Sequence, residues 1–438
     1  MRGVVRRGPG PLRFRALREV LTSHIDQIAD QRQAAKVTYA LRDCYLSGFA
    51  MFYLQDPSLL EFQRRFQETI QSNNLSTVFA VQQIPADSQL RELIDTHPYD
   101  PLLGVYDQWF HRLREARLLE RYQFLDGRYL ISIDGSGYFG SEHISCSKCL
   151  RKERRDGSVH YSHQIMQATL VHPEMKQVIP LAPEFIGNSD GTTVQDSELK
   201  AGKRLLGKIR DSHRQLPAII VADSLYSNQP FIAELIEKRF SFVLGAKPSD
   251  HKSLYQDIEA MRAGKLLDEL QHTDSRGRTH HYEWVNQIAL NGRADSRQVN
   301  FVQYRLIRGG KVTYRGAWVS DLPIDKENVQ QIVRAGRSRW KIENEGFNTL
   351  KNHGYHLEHN FGHGTHNLSE AFFVLNLLAF FAHQIFELVD RLYQQARAGF
   401  SARREFWNAI RGAFALLLFE SWDQVLARMN SPPLPAFG

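Results

Sequence analysis

The sequence predicts a mixed α/β protein with a helical region at each end of the chain. An apolar segment at residues 129–135 (YLISIDG) opens a stretch of strand and helix patterns, whereas helical periodicity prevails before residue 125 and after residue 371. Of the 438 residues, 42% are hydrophobic and 24% are charged. This composition is typical of folded globular proteins and excludes collagen-like or wholly disordered chains.

The order of the predicted elements narrows the fold class. Strands are predicted at 129–135, 160–171, 177–186, 218–223 and 240–245, with helices at 196–213 and 228–239. Three successive strands followed by alternating helices and strands is the order of an RNase H-like fold. Residues 248–325 alternate polar and apolar side chains between glycines, which predicts a β-rich insertion before a long helix over 325–352.

These patterns divide the chain into five parts. They are a basic flexible arm (1–18), a helical DNA-binding region (19–125), an RNase H-like catalytic domain (126–247 and 326–370), a β-rich insertion (248–325) and a helical C-terminal region (371–438). The arm holds six Arg and no acidic residue, and no apolar signal segment follows it. Polar residues interrupt the apolar run at 371–389, so we expect a buried helix there and no membrane partner.

Charge and cysteine content set the expected partners and compartment. Lys and Arg number 55 and Asp and Glu number 48, and the resulting net charge of +7 weakly favours a polyanionic partner. Three Cys in a chain of this length exclude a disulfide scaffold and fit a reducing, cytoplasmic compartment.

Three acidic residues far apart in the sequence are candidates for one metal site. Asp134 ends the first predicted strand, Asp223 ends the fourth, and Glu343 lies on the helix after the insertion. The first and fourth strands are neighbours in the predicted fold, so these carboxylates can converge and hold the two Mg²⁺ ions that phosphodiester cleavage uses. The alternative is that each Asp only terminates its strand. Rival acids are Asp190, Asp196, Glu198, Asp321 and Glu345.

Three segments carry a family resemblance: IDGSGY around Asp134, VADSLYSNQPFI around Asp223, and RSRWKIENEGFNTLK around Glu343. Over residues 75–385 the sequence resembles the DDE transposases of bacterial insertion sequences, in the cut-and-paste branch. The resemblance implies that the three acids form a triad binding two Mg²⁺ ions, with Mn²⁺ as a substitute. It also implies binding of double-stranded DNA at element ends and target, strand cleavage, strand transfer, and a homodimer on paired DNA ends.

The family also has a Tyr-Arg-Glu-Lys signature on the last catalytic helix. Arg339 matches its Arg, four residues before Glu343, which places both side chains on one helical face where the guanidinium can bind phosphate. Gly336 stands at the Tyr position and Leu350 at the Lys position, with Lys351 directly after it as a candidate DNA contact. Glu345 points to the opposite face, for which we expect solvent exposure.

A basic loop at residues 148–155 lies near the expected active edge. It holds five Lys and Arg residues, among them Lys148, Arg151 and Lys152. A charge run is usually a solvated surface. Beside a phosphodiester site, however, we expect these three side chains to follow the phosphate backbone of DNA.

A Cys-x-x-Cys pair, Cys146 and Cys149, precedes His160 and His163 and resembles a zinc site in composition. The alternative is a pair of ordinary thiols, because His160 and His163 would face opposite sides of a strand. Five more His follow the catalytic helix at positions 353, 356, 359, 363 and 366. Their spacing favours a polar loop over a metal site.

Two other functions stay open at this point. The first is a catalytically inactive relative that only binds DNA, and the second is a metal-dependent nuclease without strand transfer. The intact set of acids argues against the first, and the large N-terminal region and insertion argue against the second.

Overall fold

The computed structural model describes residues 9–33, 35, 37–66, 69–188 and 195–430. The N-terminal part is helical, with α1 (Phe14–Ile25), α2 (Leu41–Tyr53), α3 (Leu59–Phe66), α4 (Thr69–Asn74), α5 (Asp87–Asp95) and α6 (Leu103–Glu115). The apolar side chains of these helices are buried in the same core as those of the C-terminal helices.

The start of α1 corrects the predicted arm at residues 1–18. Leu12, Phe14 and Leu17 are buried, and the Phe14 ring lies 5.0 Å from the ring of Tyr53 and 5.5 Å from that of Trp422. The apolar residues among the arginines therefore anchor this segment to the helical core. Residues 1–8 lie outside the described residues.

A large mixed sheet forms the middle of the molecule. Its strands are β1 (Gln123–Phe124), β2 (Arg128–Ser141), β3 (Leu150–Glu153), β4 (Val159–Val171), β5 (Ile179–Pro180), β6 (Glu184–Ile186), β7 (Ala218–Ala222), β8 (Ser241–Gly245), β9 (Asp268–Thr273), β10 (Arg278–Ala289), β11 (Gln298–Arg308) and β12 (Lys311–Ser320). The main order is β3-β4-β2-β7-β8-β12-β11-β10-β9. β2, β7 and β8 are parallel neighbours, which confirms that the first and fourth predicted strands are adjacent.

Helices precede or follow the parallel strands, because neighbouring parallel strands need a long crossover connection. They are α7 (Glu198–Ser212), α8 (Gln229–Glu237) and, after β8, α9 (Lys252–Ala263). The side chains of Ser197 and Asn228 cap α7 and α8. The strands within residues 248–325 continue the same sheet, because β12 pairs with β8 in antiparallel register.

The C-terminal part is helical, with α10 (Val329–Arg337), α11 (Asn348–Asn352), α12 (Leu368–Val389), α13 (Arg391–Ala398), α14 (Arg403–Leu416) and α15 (Trp422–Met429). Among the described residues, α12 alone is long and apolar enough to cross a membrane, and most of it is buried inside the protein. Its burial confirms the helix predicted at 371–389. α12 packs against α2 and α5, so both ends of the chain share one helical layer.

The single long helix predicted over 325–352 is wrong. α10 ends at Arg337, a turn follows at Ser338 and Arg339, and residues Ile342–Phe347 form a π-helical segment before α11. A π-helical turn contains an extra residue, which shifts the faces of the helix relative to an α-helical count.

Candidate active site

Asp134 and Asp223 meet at the end of the parallel β2–β7 pair. Ser132 pairs with Val221 in that register, and each Asp lies two residues further along its own strand. Asp223 follows β7 directly and accepts a hydrogen bond from the Leu225 amide at 2.9 Å. The prediction that Asp134 ends its strand is wrong. Antiparallel pairing with β4 carries β2 past Asp134 and Gly135 to Ser141.

Glu343 reaches the same edge from the π-helical segment. The turn before this segment is fixed to the sheet by Ser132, whose Oγ donates to the Arg339 carbonyl at 3.1 Å. Ser132 lies two residues before Asp134 on β2. The position of Glu343 is therefore set by the strand that carries Asp134, although more than 200 residues separate them in sequence.

Arg339 lies between two of the three carboxylates. Its Nη1 is 3.4 Å from Asp134 Oδ2 and 2.8 Å from Glu343 Oε1. Burial raises the pKa of Asp134 to about 7; Arg339 opposes this rise, and the charges of Glu343 and Asp223 add to it. Burial disfavours the charged form of Arg339, yet the Glu343 hydrogen bond and the nearby acids raise its pKa overall.

The chemistry of this donor set fits divalent cations. Three carboxylates converge where one of them is largely buried. Arg339, together with Lys247, whose Nζ lies 4.0 Å from Asp223 Oδ2, offsets their charge only in part. Carboxylate oxygens are the ligands that Mg²⁺ and Mn²⁺ prefer. The raised pKa of Asp134 means that its ionised form is unfavourable in this environment. A cation bound beside it would stabilise the ionised form.

A comparison with family models identifies the chain. A model described as a transposase DDE domain matches residues 149–381, just over half of the sequence. The chain belongs to the DDE transposase family. No curated protein matches it. The matched range contains Asp223 and Glu343 and begins after Asp134, so the assignment of Asp134 depends on the β2–β7 register. Family membership makes the protein a transposase-type enzyme that acts on DNA, in a family that generally uses divalent metals.

Glu198 is a fourth carboxylate at the active edge of this transposase. It opens α7, and its carboxylate fills the space beside Gly135, where an added Cβ would lie 2.7 Å from Glu198 Cδ. The hydroxyl of Tyr226 is 3.5 Å from Glu198 Oε2. Burial and the charge of Asp223 raise the pKa of Glu198. Gly135, directly after Asp134, is the sequence feature that indicates room for a further side chain such as Glu198 at this edge.

The other rival acids have partners away from this edge. Asp196 pairs with Arg204 at 2.7 Å, and Asp321 accepts from the Phe242 amide at 2.7 Å. Asp190 lies outside the described residues. Each of the two described acids thus has a structural partner that accounts for it.

The helical face that carries Glu345 was predicted to be exposed to solvent, and this prediction is wrong. Lys341 is buried and donates to the Met175 carbonyl at 2.8 Å, and Thr349 is buried as well. The neighbourhood of Glu345 therefore belongs to the packing of the helix against the protein. Glu345 is partly exposed, and its charge acts on Lys341, where it opposes the lowering of the Lys341 pKa by burial.

A groove beside Glu198 carries several of the basic residues. It has a volume of about 700 Å³ and is lined by Arg151, Lys152, Lys351 and Glu198, among others. Lys351 pairs with Glu358 at 2.8 Å, and Arg151 pairs with Glu153 at 3.1 Å. These exposed pairs are weak and can exchange for phosphate contacts.

Lys148 is held against α12. Its Nζ lies 3.2 Å from Glu370 Oε1 and donates to Asn367 Oδ1 at 3.1 Å. Burial raises the pKa of Glu370 and the Lys148 charge opposes the rise. These contacts give Lys148 a structural role in fixing the loop after β2, and it does not line the groove of Arg151 and Lys152.

Three of the four predicted zinc ligands come together, and a different His completes the set. Cys146 and Cys149 have their Sγ atoms 3.8 Å apart, and His163 Nε2 lies 3.4 and 3.3 Å from them. The fourth member is His363, whose Nε2 is 3.4 Å from Cys149 Sγ and 3.0 Å from His163 Nε2. His160 is not in this cluster. It lines the groove instead, because positions 160 and 163 face opposite sides of β4.

Proposed function

We propose that this transposase binds the ends of an insertion sequence, cleaves DNA there in a metal-dependent reaction, and transfers the freed strand to target DNA. The observation that carries the proposal is the convergence of Asp134, Asp223 and Glu343 at one sheet edge, with Arg339 between two of them. The groove beside Glu198 presents Arg151, Lys152 and Lys351, which can contact DNA phosphates.

The arrangement of strands supports an RNase H-like catalytic domain. β4 and β2 are antiparallel, β2, β7 and β8 are parallel, and β7 lies beside β2. The helices within residues 19–125 are the proposed region for reading element ends, and two copies of the chain would hold paired ends in a homodimer. The proposed compartment is the bacterial cytoplasm, where the DNA is.

Asp134, Asp223 and Glu343 would hold two Mg²⁺ ions, with Mn²⁺ as a substitute. Bound there, the ions supply Lewis acidity that activates water, and later a 3′-hydroxyl, and stabilises the leaving oxygen. The protein's own residues prepare this chemistry. Arg339 restrains Glu343 and Asp134 and offers a second N–H to a phosphate oxygen. Burial of Asp134 keeps bulk water away from part of the site.

The test uses Asp134→Asn and Asp223→Asn in the full chain. Both variants should bind DNA carrying the element ends as tightly as the wild type in gel-shift assays. Cleavage in Mg²⁺ should be lost, because each amide removes a charged metal ligand. Normal nicking by either variant would remove that residue from the triad.

Two further measurements separate the alternative functions. An inactive DNA-binding relative would show no metal-dependent cleavage by the wild type. A nuclease without strand transfer would cleave the ends but would not join pre-cleaved ends to a target plasmid. The proposal requires both reactions.

A further inference from the structure

We propose that Cys146, Cys149, His163 and His363 bind one structural Zn²⁺ ion. Each residue contributes one ligand atom, and all four of these atoms lie within 4.8 Å of one another. Two thiolates and two imidazoles are a ligand set characteristic of structural zinc. The site is separate from the carboxylate triad, whose oxygen ligands suit harder cations.

The distances between ligand atoms fit a tetrahedron around zinc. With Zn–S near 2.3 Å and Zn–N near 2.0–2.1 Å, the edges of such a tetrahedron are roughly 3.3–3.8 Å. The Sγ–Sγ distance is 3.8 Å, and His163 Nε2 to either sulfur and His363 Nε2 to Cys149 Sγ span 3.3–3.4 Å. The two nitrogens are 3.0 Å apart, slightly closer than an ideal edge, so a bound ion would move the two rings a little apart. Both residues are free cysteines, with their sulfurs farther apart than the about 2.05 Å of a disulfide, so both thiols are available as ligands.

The surroundings of His363 prepare it as a ligand. Its Nδ1 donates to the Gly364 carbonyl at 2.7 Å, which places the proton on Nδ1 and leaves the Nε2 lone pair facing the cluster. Cys149, His163 and His363 are buried, and Cys146 is half-buried. A closed set of four protein ligands with little solvent access is the pattern of a structural site, whereas a catalytic zinc keeps one position open.

The site joins three segments that are distant in sequence. Cys146 and Cys149 lie in the loop between β2 and β3, His163 lies on β4, and His363 lies on residues 353–367. We call residues 353–367 the strap, since they run without regular helix from α11 to α12. Zinc would fasten the strap to the sheet, and closing so long a loop favours the folded state.

This fastening lies close to the catalytic strand. His163 is paired with Phe139 in the β2–β4 ladder, and the Phe139 ring packs 4.4 Å from the His363 ring. Phe139 is five residues after Asp134 on β2. The other end of the strap follows α11, the helix directly after Glu343 and its π-helical segment. Zinc therefore acts here as a positioning element that holds the sheet and the catalytic helix in one relative placement.

The test measures metal content in full-length protein purified without a His tag. The wild type should hold about one equivalent of zinc. Cys146→Ser and His363→Asn should each hold less than about a tenth of an equivalent, since removing one of four ligands opens the site. The matched controls are His160→Asn, from the same strand as His163, and His366→Asn, from the same strap as His363. Both controls should keep the zinc and the wild-type melting temperature.

Cobalt exchange into the wild type decides the matter if the ligand variants fail to fold. Tetrahedral Co²⁺ with thiolate ligands has strong visible absorption, which the carboxylate triad cannot produce. Its appearance on exchange supports the site. Zinc below about a tenth of an equivalent in wild-type protein together with no cobalt spectrum would overturn the proposal, as would a Cys146–Cys149 disulfide in the native protein. These measurements do not depend on DNA cleavage, so they stand whether or not the proposed reaction is observed.

Discussion

The carboxylate edge and the Cys/His cluster are built from the same neighbourhood of the chain but differ in almost every physical respect. The first combines Asp134 on β2 with Glu343 after α10, and the second combines His163 on β4 with His363, which also follows α10. The first gathers oxygen donors around Arg339 next to an open groove, and the second closes sulfur and nitrogen donors away from solvent. An open, hard-donor site suits ions that must meet a substrate, whereas a closed, soft-donor site suits an ion that holds the fold.

The largest expected effect concerns the third acid of the open site. Glu343→Gln should lower the single-turnover cleavage rate by several orders of magnitude, because it removes a metal ligand. Glu345→Gln, two residues away, should keep most of the activity, because Arg339 pairs with Glu343, whereas the charge of Glu345 acts on Lys341. Cleavage rates compared at equal melting temperature test this. A dead Glu345→Gln variant beside an active Glu343→Gln variant would reverse the assignment.

The open site could be predicted from the sequence because its residues mark secondary structure. Asp223 follows an apolar strand, and a strand order alone places β7 beside β2. The prediction failed where tertiary pairing overrode local signals. The Asp-Gly pair at residue 134 favours a turn, but hydrogen bonding to β4 continues the strand. The π-helical turn around Glu343 has no local sequence signal that distinguishes it from an α-helix.

The closed site was only partly predictable for a different reason. The Cys-x-x-Cys spacing identifies Cys146 and Cys149 as candidate ligands. Strand alternation correctly places the side chains of His160 and His163 on opposite sides of β4. His363 lies 200 residues beyond His163, among other histidines, and only the folded chain selects it. The glycines of the strap are the remaining clue, since Gly362 and Gly364 adopt positive φ angles that let the chain bend on either side of His363.

Chelation should separate the two sites in one preparation. Dialysis against EDTA should abolish DNA cleavage, and added Mg²⁺ should restore it, since ions at an exposed carboxylate site exchange readily. The zinc content and the melting temperature should change little over the same dialysis, because a closed set of four protein ligands releases zinc slowly. Cleavage and metal analysis on the same samples provide the measurement. Loss of zinc in step with loss of cleavage would mean that the two sites are not independent.

The smallest expected effect is the contribution of Asp134 to the pH dependence of stability. Burial raises the pKa of Asp134 to about 7, well above the unfolded value of about 3.9. Between these values the Asp134 carboxyl is more protonated in the folded protein than in the unfolded chain, so its contribution to the free energy of unfolding falls as pH rises from about 4 to about 7. Because one pKa unit corresponds to about 1.4 kcal/mol and the site is partly solvated, the fall should be on the order of 1–3 kcal/mol.

Urea unfolding of EDTA-dialysed protein between about pH 4 and pH 7 measures this fall in the free energy of unfolding. Relative to the wild type, Asp134→Asn should lose this contribution, although Asp56 and Glu370 also have raised pKa values and keep theirs. Asp126→Asn, at an exposed acid paired with Arg128, should leave the profile unchanged. Mg²⁺ should also flatten the profile by favouring the ionised carboxylate. An unchanged slope in Asp134→Asn would place the buried charge on another residue and remove the electrostatic reason for a cation at Asp134.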